Sequence, residues 1–97
     1  MGNLISFMKE VADGLRESGN FGTAHIYRSS LSAILAFHGS DKLPFRKVSQ
    51  EFLKSFESYL RGRNCSWNTV STYMRTLRAV YNRAVDRHLA PYVPHHF

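Results

Sequence analysis

The chain carries one cysteine, Cys65, in 97 residues. No internal disulfide can form, so the fold does not depend on an oxidising compartment. No apolar run approaches the roughly 20 residues that a membrane-spanning helix needs. The amino terminus, MGNLISFMKEV, has neither a basic leader nor a long apolar segment, which argues against a signal peptide. MGN with Ser6 is only a weak match to the myristoylation signature. The sequence contains no Gly-rich phosphate loop. Its histidines, His25, His38, His88, His95 and His96, show no metal spacing such as HExxH, and no cysteine or acid cluster accompanies them. Cys65 has no signature of an activated nucleophile, and Glu51 and Glu57 have no partner suited to acid–base work. These absences leave a soluble cytoplasmic protein as the expectation, with no cofactor, no metal and no enzymatic site.

Acids are also scarce. Lys and Arg number 13 against 7 Asp and Glu, a net charge of +6. Residues 1–40 hold Lys9, Arg16 and Arg28 against Glu10, Asp13 and Glu17 and sum to zero, so the whole excess lies in residues 41–97. A one-sided basic excess points to an anionic partner, most often nucleic acid. Hydrophobic residues make up 43% of the chain, enough for one packed domain and against disorder.

Four segments have helical periodicity. Leu4, Phe7, Met8, Val11 and Leu15 mark the first, which ESGNFG ends with Gly19 and Gly22 as breakers. The second spans about Thr23 to Phe37, capped by Thr23 or Asn20. Ile26, Tyr27, Ser30, Ile34 and Phe37 form its inner stripe, opposite His25, Arg28, Ser29 and Ser32. HGSDKLP is a loop, and FRKVS reads as a brief extended piece. Ser49 caps the third helix, whose apolar face is Phe52, Leu53, Phe56, Tyr59 and Leu60, with Gly62 as its stop. Ser66 caps the fourth, which runs to about Leu89 on a stripe of Val70, Tyr73, Met74, Leu77, Val80, Tyr81, Ala84 and Val85. Pro91 and Pro94 forbid its continuation. Helices this short need a shared core. The expected fold is therefore all-α: a compact four-helix bundle over residues 1–90, with 91–97 as an extended linker.

The fourth helix has an unusual polar side. Asn68, Thr69, Ser71 and Thr72 surround its amino end, where outward N–H groups and the helix dipole favour a phosphate. Arg75 and Thr76 follow one turn on, and Arg78 and Arg83 extend the positive charge. Such residues suit phosphate contacts and, for arginine, the guanine edge. Taken singly, Ser66 is a cap, surface arginines are solvated, and Trp67 is a core or staple residue with base stacking as its alternative. Clustering on one helix favours nucleic acid. The second helix offers a smaller basic face, while Lys42, Arg46 and Lys47 read as a solvated loop.

SWNTVSTYMRTLRAVYNRAVDRHLAP resembles the last helix of the core-binding (SAM-like) domain of phage integrases, the tyrosine recombinases. TAHIYRSSLSAILAF is similar to that domain's second helix and FRKVSQEFLKSFESYL to its third, with the flavour of integrases from Bacteroides-type mobile elements. The resemblance implies a SAM-like helical bundle that clamps one face of duplex DNA, alongside other recombinase protomers. It also implies that a separate carboxy-terminal domain, absent here, carries the Arg/Lys/His/Arg set and the tyrosine nucleophile. None of Tyr27, Tyr59, Tyr73, Tyr81 and Tyr92 has that catalytic context. Carried over, the DNA-facing positions are Thr23, His25, Arg28, Asn68, Thr69, Thr72, Arg75 and Thr76. The rival expectation is a helical protein–protein module, which requires an exposed apolar patch or a matched charged surface.

Overall fold

Asn3 starts the first helix with its side chain: Oδ1 accepts from the N–H groups of Ile5 (2.8 Å) and Ser6 (3.5 Å). α1 spans Leu4–Glu17, α2 Phe21–His38, α3 Gln50–Gly62 and α4 Trp67–Asp86, with a 3-10 turn at Phe45–Lys47. The computed structural model describes residues 2–93. Ser49 and Ser66 cap α3 and α4, accepting from the N–H groups of Phe52 and Thr69. The cap of α2 is Asn20 rather than Thr23, and its side chain makes no capping bond.

Three helices end alike. Gly19, Asn64 and His88 adopt left-handed backbone at φ 89°, 59° and 60°. The next N–H then reaches back to close the helix: Asn20 to the Leu15 carbonyl (2.8 Å), Cys65 to Leu60 (3.3 Å) and Leu89 to Ala84 (2.8 Å). Gly19, Asn64 and His88 bond Arg16, Arg61 and Val85 in the same way, which completes a Schellman closure at each end. This corrects three boundaries. Gly22 lies inside α2, because Gly19 already makes the reversal. Gly62 lies inside α3, and Asn64 turns the chain. α4 stops at Asp86, short of Leu89, because His88 takes the left-handed position.

α1 packs on α2 and α4, α2 on α3 and α4, and α3 on α4. Their stripes meet in one core that includes Leu4, Met8, Ile34, Phe56, Leu60, Val70, Leu77 and Val80, all below 2% exposure. Phe37 closes one end, its ring against those of Phe52, Phe56 and Tyr59. Leu43, Phe45 and Val48 from the α2–α3 connection are also buried. FRKVS is thus not extended. A 3-10 turn has three residues per turn, which puts Phe45 and Val48 on one inward side. The Leu4 N–H bonds the Leu43 carbonyl at 2.8 Å and fastens this connection to α1.

Tyr81 ties α4 to the segment beyond its carboxy end. Its ring meets Phe45 edge-on, and its hydroxyl donates to the Pro91 carbonyl at 2.8 Å. Burial pushes its pKa above the ordinary 10.0. The folded state therefore favours the protonated phenol. The associated stability is fully present below about pH 10 and is lost as pH rises through the native value. Tyr81→Phe should cost about 1 kcal/mol at neutral pH and flatten the alkaline loss, as read by urea unfolding across pH. An unchanged alkaline limb would show that Tyr81 does not set it. Pro91–Val93 have no regular structure, whereas Pro94, His95 and His96 lie outside the described residues.

Candidate nucleic-acid interface

The amino end of α4 is built from hydroxyls bonded to their own helix. Ser66 Oγ accepts from the Thr69 N–H (3.2 Å) and donates to Thr69 Oγ1 (3.0 Å). Thr72 Oγ1 donates to the Asn68 carbonyl and Thr76 Oγ1 to the Thr72 carbonyl, each at 2.8 Å. The Thr72 and Thr76 protons are therefore committed to backbone. The Asn68 amide and the Arg75 guanidinium have no hydrogen-bond or ion-pair partner among the described residues, and both side chains are exposed. They are the donors this surface holds ready.

The first half of α2 crosses beside this end. His25, Ile26 and Ser29 line a shallow hollow of about 220 Å³ together with Asn68, Thr69, Thr72 and Tyr73. The fold thus brings together His25, Asn68, Thr69 and Thr72, four expected contact residues from two separate stretches of sequence. Among the described residues, no acid lines the hollow. Arg75 stands one turn beyond Thr72, and Thr23 is exposed in the first turn of α2.

The remaining two expected positions fare differently. Thr76 is only 6% exposed, so it faces the interior and offers nothing to an outside ligand. Arg28 is exposed but lies outside the hollow and pairs with Asp13 of α1. Both side chains are nearly half exposed, so the pair contributes little to stability, yet it places an acid beside that arginine. Other residues of the hollow escape a reading by periodicity. Helical spacing assigns Ile26 and Tyr73 to buried stripes, but both line the hollow, and Ile26 is 40% exposed. Ser29, which helical spacing places on the polar face with His25, lines the hollow one turn after it. Trp67 is not a core residue, being 67% exposed.

Among the described residues, no group of three or more His, Cys, Asp or Glu side chains is placed to hold a metal ion. No described helix is long and apolar enough to cross a membrane.

The phage integrase SAM-like domain family matches residues 3–96. The chain belongs to that family. No curated protein and no solved structure matches it. The family's all-α character agrees with the four helices. In this SAM-like domain α4 supplies most of the polar lining and α2 the rest, so the hollow exists only when both are packed.

Proposed function

We propose that this SAM-like domain is the core-binding domain of a site-specific tyrosine recombinase. It holds one face of duplex DNA, chiefly through phosphates. Asn68, Thr69, Thr72 and Arg75 on α4 act with Thr23 and His25 on α2, and Arg28 flanks them. Cutting and joining belong to a separate catalytic domain, and other recombinase protomers share the DNA in the cytoplasm. The resemblance to integrases of Bacteroides-type elements rests on residue pattern alone. The observation that carries the reading is the acid-free hollow lined by His25, Asn68, Thr69 and Thr72. α4 presents its first turn there, where the helix dipole favours an anion, and α2 adds His25 and Ser29 from its second and third turns. The net charge of +6 supplies long-range attraction.

Titration of a labelled duplex at several salt concentrations tests this. Log affinity should fall linearly with log salt, since each neutralised phosphate releases counterions. Arg75→Ala should weaken binding and reduce the slope by about one. Absence of binding at low salt, or binding indifferent to salt, would sink the proposal.

A further inference from the structure

Trp67 is the chain's single tryptophan and the first residue of α4, and it is 67% exposed. A ring that large is normally buried, because its apolar area favours leaving water. Here it covers no core. Instead, the Arg61 guanidinium from the end of α3 lies 5.1 Å from its ring centroid. Arg61 is itself held by Glu57 one turn earlier, at 2.6 Å. Ring and cation therefore form a positioned pair at the α3–α4 corner rather than two free side chains. The corner adjoins Asn68, whose amide is unpaired among the described residues. Ser71 and Arg78 follow Trp67 on the same side of α4, at steps of one turn and three turns.

From this geometry we infer that the Trp67–Arg61 pair is a second DNA-contacting element, on the side of α4 away from the α2 hollow. The ring packs on deoxyribose of the strand whose phosphates Arg61 and Arg78 meet. A backbone strand alternates apolar sugar with anionic phosphate, which matches an apolar ring beside Arg78, unpaired among the described residues, and Arg61, whose exposed pairing with Glu57 contributes little and can be exchanged for a phosphate. The apolar surface of a protein partner fits less well, because docking it would strip water from Arg78, which has no partner among the described residues, without returning an opposite charge. The inference rests on the DNA-binding reading above and extends it from phosphate contacts to an apolar contact that carries affinity without charge.

Trp67 emission reports on this corner alone. On titration with an unlabelled duplex, its emission should change and its quenching by acrylamide should fall. Both should saturate in step with the anisotropy of a labelled duplex. Trp67→Ala should lose about tenfold in affinity, as buried aromatic anchors do. Its log–log salt slope should stay that of the parent, because an apolar contact releases no counterion, and Trp67→Phe should recover most of the loss. The unfolding midpoint of Trp67→Ala should not move, since the ring covers no core. Saturable anisotropy with unchanged Trp67 emission and quenching would overturn the inference and leave the proposed function standing. No duplex binding at low salt would overturn both. Protection of Trp67 that grows with protein concentration without DNA, alongside a larger sedimentation coefficient, would assign the corner to a second copy of the chain and also overturn it.

Discussion

Phe56→Ala is expected to remove about 3–5 kcal/mol of stability, out of the roughly 5–15 kcal/mol typical of a domain this size. Phe56 is fully buried, on the face of α3 that meets α2 and α4, with its ring 5.5 Å from that of Phe37. Truncation loses the transfer free energy of the ring and leaves a cavity that four short helices cannot close without moving together. Urea unfolding followed by circular dichroism measures the loss. The control is Phe21→Ala, where the ring is 66% exposed and the change should stay within about 0.5 kcal/mol. A loss below about 1 kcal/mol for Phe56→Ala would mean that α3 does not pack as described.

Thr69→Glu is expected to separate folding from binding. Thr69 is three residues after the cap Ser66, whose Oγ already accepts its N–H. Glutamate there completes a Ser-x-x-Glu capping box and places an acid in the first turn of α4, where the dipole favours it. Stability should hold or rise by about 0.5–1 kcal/mol. The same carboxylate enters the hollow shared by His25, Asn68 and Thr72, where a phosphate is proposed to sit. Duplex affinity at low salt should therefore fall about a hundredfold, equivalent to about 2.7 kcal/mol. Melting and anisotropy on one preparation check both halves. A stable Thr69→Glu variant that binds as well as the parent would remove the hollow from the DNA face.

Much of the architecture was legible along the chain. Ser49 and Ser66 were readable as caps because a cap is made within three residues. The buried positions Leu4, Met8, Phe56, Leu77 and Val80 followed from the helical period. What misled were residues whose local signal has two meanings. Asn64 and His88 close helices as glycine would, and neither residue type demands that role. Ile26 and Trp67 are apolar and suited to burial, yet among the described residues no neighbouring element covers them. Thr76 is polar, but its hydroxyl is satisfied by the Thr72 carbonyl, so it tolerates the interior.

The amino-acid sequence by itself determined four amphipathic helices, most of their caps and a basic second half, because these depend on contacts within a turn or two and on side-chain charge. Only the tertiary structure decided which polar residues stand together at the surface. That choice is made where α2 crosses α4, between residues some forty positions apart, and no local rule specifies the crossing. The crossing joins His25 to Asn68, Thr69 and Thr72 in the hollow. Packing likewise turns Thr76 inward and draws Arg28 to Asp13 on α1.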